Sequence, residues 1–331
     1  MLDLDILILL VVACALIFDY VNGFHDTANA IATSVSTRAL SPRVAIWMAA
    51  GLNFLGAMYS TGVAKTIGAD LVKSASLINS EVMIAALMGA ITWNLLTWYV
   101  EMPSSSSHAL VGGVVGAVIV SVGVDALKME GIMKIVMALI CSPVVALVTG
   151  FFVMIALYWI FGRMAPRNVN HSFKKMQIVS AAMMAFSHGS NDAQKAMGII
   201  TLALLSSGYI DVFEVPLWVK LCAATAMGCG TAAGGWKIIK TMGGKIFKLE
   251  PISGFAADLN SSLVIFGATL LHLPVSTTHV VSGSIMGVGT AKRVRAVRWG
   301  VARSMLMAWI FTIPCSALVS GICYKVIKLF L

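Results

Sequence analysis

The chain has 331 residues, of which 59% are hydrophobic and 11% charged, with mean hydropathy +0.92 and a formal net charge of +9. A soluble domain is about a quarter charged, so this chain cannot coat a core with polar side chains, and a bilayer is its solvent. The positive charge does not point to nucleic acid, because it gathers in short clusters at the ends of apolar segments, the pattern of cytoplasmic membrane loops.

The first apolar segment, 6–18, follows two aspartates, lacks a basic leader region and runs into the polar stretch 19–26, so it reads as a retained helix and not a cleaved signal peptide. Residues 23–30 read GFHDTANA. Uncharged runs follow at 44–64 and 82–100, each near the ~20 residues that a span needs. The run 102–124 contains PSSSSH at 103–108, and 135–162 is again long enough to span. Residues 162–175 form a polar connector with Arg163, Arg167, Lys174 and Lys175. Shorter apolar stretches lie at 176–187, 196–210 and 217–236, with GSNDAQKA at 189–196. Residues 237–250, with Lys237, Lys240, Lys245 and Lys248, read as an interfacial helix or loop. The run 259–291 contains PVSTTH at 274–279; Lys292, Arg293, Arg295 and Arg298 precede the final run, 304–324. The expectation is an all-α polytopic membrane protein with about ten to twelve helices or half-helices. The six cysteines form no C-x-x-C pair and read as small reduced core residues.

The chain repeats itself. An offset of 171 carries His108 onto His279, Pro103 onto Pro274, Gly112 onto Gly283, Gly116 onto Gly287 and Glu101 onto His272. An offset of 166 carries Gly23 onto Gly189, Asp26 onto Asp192 and Ala30 onto Ala196. Two motifs in the same order define a first repeat, 1–161, the connector 162–175 and a second repeat, 176–331, within one integrated membrane unit. The offset leaves parallel and inverted repeats open; secondary transporters often use inverted ones, with the substrate at the repeat interface. The matched glycines are explained by close helix packing.

Proline discourages helix before it and suits a helix start, and serine and threonine are preferred N-caps. Each hydroxyl motif therefore predicts a break, a cap and a new helix inside the membrane. A helix N-terminus offers free N–H groups and a positive dipole end. With the hydroxyls of Ser104, Ser105, Ser106 and Ser107, and of Ser276, Thr277 and Thr278, two such ends can face one tetrahedral oxyanion. Asp26 and Asp192 beside that site would repel an anion unless a cation stands between them. Asn29 and Asn191, with carbonyls of a broken helix, are oxygen ligands that suit Na+; His25, His188, His108 and His279 could instead carry protons. Asp258 is either a buried ion ligand or the polar end of a helix, and Lys195 either pairs with an acid or touches the substrate.

GFHDTANAIAT, FSHGSNDAQKAMG, PSSSSHALVGG and PVSTTHVVSG resemble the paired signatures of the inorganic phosphate transporter (Pit) family, in its bacterial form, over nearly the whole chain. The resemblance implies symport of phosphate with Na+ or H+ across the plasma membrane. It also implies an inverted-repeat helical fold with hairpins entering from opposite sides, a homodimer, and no cofactor beyond the coupling ion. By motif match Asp26, Asn191 and Asp192 would be cation-linked, as metal ligands if the ion is Na+. Ser105, Ser106, Ser107, Ser276, Thr277 and Thr278 would hold phosphate, and His188 and Asp258 match positions of functional interest. His25 stands where the second motif has Asn191, a departure that puts a two-fold equivalent cation site in doubt. Sulfate stays open as the anion. A membrane-embedded hydrolase is disfavoured, since the chain has neither HExxH nor GxSxG; an anion channel is disfavoured because buried acids argue for coupling.

Overall fold

The computed structural model describes residues 2–234, 239 and 241–330. Lys237 and Lys240 of the expected interfacial segment lie outside the described residues; 241–245 form one turn of π-helix. Among the described residues there are eleven α-helices. They are α1 (Leu2–Ser36), α2 (Pro42–Ala57), α3 (Gly62–Ala69), α4 (Ser80–Tyr99), α5 (Ser106–Ser121) and α6 (Met129–Phe161). The second half supplies α7 (Pro166–Ser206), α8 (Leu217–Ala233), α9 (Pro251–Leu270), α10 (Thr277–Lys292) and α11 (Trp299–Phe330). Four helices, α1, α4, α6 and α11, are long and apolar enough to cross a membrane alone, or five spans if α2 and α3, bent by 70° at their junction, count as one. Helix α7 begins at Pro166, so only 162–165 of the polar connector is non-helical.

Polarity is inside out. Helix α6 is apolar, yet only 17% of its most apolar stretch is buried within the protein, and Trp159, Ile160, Phe152 and Val144 face outward. Fully buried positions include Asp19, Asp192, Lys195 and His188. Apolar groups outside and charges inside make sense only with lipid as the outer solvent. The cysteines are free thiols, and Cys141 and Cys229 lie on this outer surface and not in the core, because lipid solvates a thiol as well as a core does.

Helices α4 and α5, and again α9 and α10, form two hairpins with the hydroxyl motifs at their tips. Glu101 and His272, matched in the repeat, are the left-handed residues that end α4 and α9, with φ of 59° and 57°. In each case the next N–H reaches back to close the last turn: Met102 N to Thr97 O at 2.9 Å, and Leu273 N to Ala268 O at 2.9 Å. Their match is therefore one of backbone geometry, and they do not meet. Glu101 lies 3.9 Å from Lys245, while His272 packs against Gly62.

The hairpins are exchanged between halves. Helix α5 lies along α11, with Gly112 against Ile313, Gly116 against Ala317 and Gly321 against Val120. Helix α10 lies along α6, with Gly283 against Pro143 and Gly287 against Leu147 and Phe151. Residue numbers rise together in both contacts, so each pair is parallel. Because α5 leads by a short turn into the start of α6, and α10 into the start of α11, α6 and α11 run antiparallel. The two hairpins thus point tip to tip from opposite sides, and the repeats are inverted. Helices α6 and α11 also carry matched prolines, Pro143 and Pro314.

The end where α6 stops and α7 and α11 start gathers exposed Arg163, Arg167, Lys174, Lys175, Lys292, Arg293, Arg295 and Arg298. The positive-inside rule assigns that end to the cytoplasm and the start of α1 to the outside.

At Gly116 and Gly287 an added Cβ would meet a backbone carbonyl of the facing helix, whereas at Gly267 it would meet open space. Gly116→Val and Gly287→Val should each destabilise the protein by about 1–3 kcal/mol, seen as lowered thermal midpoints in detergent, and Gly267→Ala should not. Equal midpoints for all three would contradict the helix pairing described.

Candidate functional site

The hairpin tips meet at the centre. The rings of His108 and His279 lie 4.4 Å apart, and Ser107 Oγ donates to Val275 O at 2.9 Å, tying one tip to the other. Ser105 and Ser276 are the N-caps, accepting the His108 and His279 N–H groups at 3.2 and 3.3 Å. The N-termini of α5 and α10 therefore converge, as the Pro-led motifs predict.

Against them lie α1 and α7. A broken helix at the two aspartate motifs is not found: α1 and α7 run unbroken through GFHDTANA and GSNDAQKA. Neither motif contains proline, and the small residues allow contact without unwinding; Gly23 touches Met227 and Thr231 of α8, and Gly189 touches Asn53 of α2. The carbonyls of these motifs are therefore spent within the helix, and only side chains are available as ligands.

The contacts follow the repeat. Ser106 Oγ donates to Asp26 Oδ2 at 2.9 Å, and Thr277 Oγ1, its match, to Asp192 Oδ2 at 3.1 Å. Thr278 Oγ1 bridges to Asp26 Oδ1 at 3.4 Å and accepts from Asn29 Nδ2 at 2.9 Å. One oxygen from each of Asp26 and Asp192 and a ring nitrogen of His188 lie within 4.8 Å of one another. Each acid has a histidine beside it: His25 Nδ1 is 2.6 Å from Asp26 Oδ1, and His188 Nε2 is 3.4 Å from Asp192 Oδ2, without hydrogen-bond geometry. Lys195 resolves to a partner of the acid, its Nζ donating to Asp192 Oδ1 at 2.5 Å.

The difference between His25 and Asn191 also resolves. His25 Nε2 reaches Thr97 and Ser104 of its own hairpin at 3.4 and 3.5 Å. Asn191 Nδ2 donates to Thr269 Oγ1 and Leu273 O, and its Oδ1 accepts from Val275 N at 3.3 Å. Two different side chains do one job, holding the break of the hairpin in their own repeat. Ser104 Oγ, 2.7 Å from Thr97 Oγ1, belongs to the same support. Of the seven hydroxyls in the two motifs, those of Ser106, Thr277 and Thr278 face the acids, while Ser104, Ser105, Ser107 and Ser276 use theirs to shape the tips.

Asp258 is not the polar end of a helix. It sits buried within α9 and accepts from Thr33 Oγ1 at 2.5 Å, two turns along α1 from Asp26 and on the cytoplasmic side. Thr37 and Gln177 continue that cluster at 2.6 Å. The sequence reading passes over Asp19, Asn22 and Asn94, which are fully buried. The signal for the first two is spacing: Asp19, Asn22, Asp26, Asn29 and Thr33 share one face of α1. Asn94, alone in an apolar run, gives little to read.

The chain matches the family model described as "Phosphate transporter family" over residues 22–320. It is 54% identical over 326 residues to a "probable low-affinity inorganic phosphate transporter" of Bacillus subtilis (strain 168), covering 98% of each chain. A protein of the same description from Rhizobium meliloti (strain 1021) is 45% identical over 315 residues, 95% of this chain and 94% of its own. A solved structure described as "The sodium-dependent phosphate transporter" superposes with a TM-score of 0.91 at 26% identity, covering 98% of this chain and all of that one. Fold, site and relatives agree, and the chain belongs to the phosphate transporter family.

Proposed function

We propose that this multi-pass plasma-membrane transporter carries inorganic phosphate together with a monovalent cation, Na+ or H+, by alternating access. The observation that carries the reading is the convergence of two helix N-termini, α5 and α10, on two buried carboxylates, Asp26 and Asp192. The N-termini and the Ser106, Thr277 and Thr278 hydroxyls supply donors suited to a tetrahedral oxyanion. The carboxylates make that anion welcome only with a cation. Two like charges within 4.8 Å of each other already repel by roughly 3 kcal/mol or more at an effective dielectric constant near 20. Lys195 is bonded to Asp192 and offsets one charge. Phosphate adds more negative charge than the protein cancels, so cation and anion bind together and cross together.

Both ions fit the donor set. For Na+, Asp26 and Asp192 offer charged oxygens, and Asn191 Oδ1 keeps a lone pair beyond the one taken by Val275 N. The sodium-dependent name of the structural neighbour favours that ion. For H+, the His25–Asp26 and His188–Asp192 pairs offer sites that exchange a proton without metal coordination. Motion follows from the exchanged hairpins: α5 rides on α11 and α10 on α6, so rocking one half against the other opens the centre to one side at a time. The function is tested by labelled phosphate uptake into proteoliposomes with an imposed Na+ gradient or an imposed pH gradient. Accumulation in one arm supports the reading and names the ion; equilibration without accumulation in both arms overturns it.

Asp192→Asn should abolish accumulation, and it leaves Lys195 as an unpaired buried charge, so it should also cost about 3–5 kcal/mol of stability. The double variant Asp192→Asn with Lys195→Met should recover the thermal midpoint but not accumulation; recovery of both would remove Asp192 from coupling. Ser106→Ala and Thr277→Ala should each raise the apparent KM for phosphate by roughly tenfold or more, the value of a hydrogen bond to a charged group. An unchanged KM for either would remove that hydroxyl from the anion site.

A further inference from the structure

Helix α1 carries an acid that the site above does not use. Asp19 is fully buried in a membrane-spanning helix; Asn22 lies close enough to interact with its carboxylate but not in hydrogen-bond geometry, so neither carboxylate oxygen has a well-formed partner among the described residues. Asn22, one turn on, is equally buried, and both its amide atoms are likewise unpartnered. Asn94 of α4 is the third member, again fully buried with both amide atoms unpartnered. Helices α1 and α4 both run from the outside towards the centre, α4 as the antiparallel hairpin partner of the outward-running α5, and they touch where Phe24 packs on Trp98 and His25 reaches Thr97. Asn94 lies one turn before that contact on the same face of α4, which sets it level with the Asp19–Asn22 turn of α1. Buried polar groups are almost always paired, and three orphaned side chains on two facing helices ask for a shared ligand.

The chemistry of that ligand follows from the donors. A carboxylate with two carboxamide oxygens is an all-oxygen set with one negative charge, which suits a hard monovalent cation. The charged groups that act on Asp19 are Asp192 and Lys195 of α7. Helix α8 meets this stretch through Gly230, packed on the Tyr20 carbonyl, and brings no charge there. Lys195 is already bonded to Asp192, so it does not neutralise Asp19. Asp19 and Asp26 share one face of α1 and stand roughly 10 Å apart along its axis. The second repeat has no counterpart: the position matching Asp19 is Ala185.

We propose that Asp19, Asn22 and Asn94 form a further site for one monovalent cation, on the external side of the Asp26–Asp192 pair, which hands the coupling ion to that pair. The ion is Na+ held by the three oxygens, or a proton held on Asp19. The assignment rests on the cotransport reading above and gives the first repeat a role in ion delivery that the second lacks. An intramembrane acid facing the bundle interior is the usual mark of such a pathway.

The test compares two modes in proteoliposomes, gradient-driven phosphate accumulation and phosphate–phosphate exchange with equal cation on both sides. Asp19→Asn keeps the shape and removes the charge. It should lower accumulation by roughly tenfold or more, within the usual span of coupling between two sites, and lower exchange far less. Asp19→Glu should restore accumulation. Asn94→Leu, on the other helix, should raise the half-saturating concentration of whichever cation drives the parent protein, and direct binding of labelled Na+ to the purified protein should lose one site in Asp19→Asn if that cation is Na+. Parent-like accumulation by Asp19→Asn overturns the assignment. So does an equal loss of accumulation and exchange, which would make Asp19 structural. A parent protein that accumulates phosphate in neither gradient overturns the cotransport reading itself, and the Asp19 site with it.

Discussion

Charge in a medium that cannot solvate it is the constraint on which this protein is built. Asp26, Asp192 and Lys195 are buried in a bundle whose outer surface is lipid-facing, where an unpaired charge is not tolerated. Two helix N-termini add positive potential from the opposite direction without adding a formal charge. The balance is close but incomplete, because one ammonium faces two carboxylates at the centre and a third at Asp19. In the proposed function an anion and its accompanying cation complete it together, so that the electrostatics that make the site costly to build are also what would couple the two ions.

The fold exists to hold that balance at the middle of the membrane. Helix N-termini reach the centre only because α4 and α9 stop there, each ended by a left-handed residue and followed by a proline-led cap. Exchange of the hairpins across the two halves brings both tips to the repeat interface, where contacts within each repeat and contacts across it meet. Ser106 meets Asp26 within the first repeat and Thr277 meets Asp192 within the second, while Thr278 crosses from one to the other. The inverted symmetry is close in the hairpins and their breaks and loose in chemistry. His25 and Asn191 clamp equivalent hairpins with different groups, and Asn29 is replaced by Lys195. That looseness leaves the two sides of the membrane with different buried acids, Asp19 towards the outside and Asp258 towards the inside.

Much of this was legible in the sequence because it was written twice. Repetition exposed the Pro-led breaks, the N-caps and the paired acids, since one motif is ambiguous and two in register are not. The packing role of Gly116 and Gly287 was legible for the same reason. Repetition failed where the halves differ or where a side chain acts on backbone. The expectation of a broken helix at the aspartate motifs came from polar residues at membrane depth, yet α1 and α7 stay helical because the bundle interior supplies their partners. Ser105 and Ser276 read from the sequence as ligands in a run of hydroxyls, and the structure adds that their Oγ atoms accept the cap N–H groups of His108 and His279. Asp19 has no counterpart at its matched position, and Asn94 is a lone amide in an apolar helix, so neither stood out.

The most direct test of the account is the affinity of the purified protein for phosphate, measured at equilibrium while Na+ concentration and pH are varied separately. The account predicts that one of the two cations tightens phosphate binding by roughly tenfold or more, and that this dependence disappears when Asp26 and Asp192 are both replaced by asparagine. Phosphate affinity that is indifferent to both cations would contradict it, because the buried acids would then be neutralised by the protein alone.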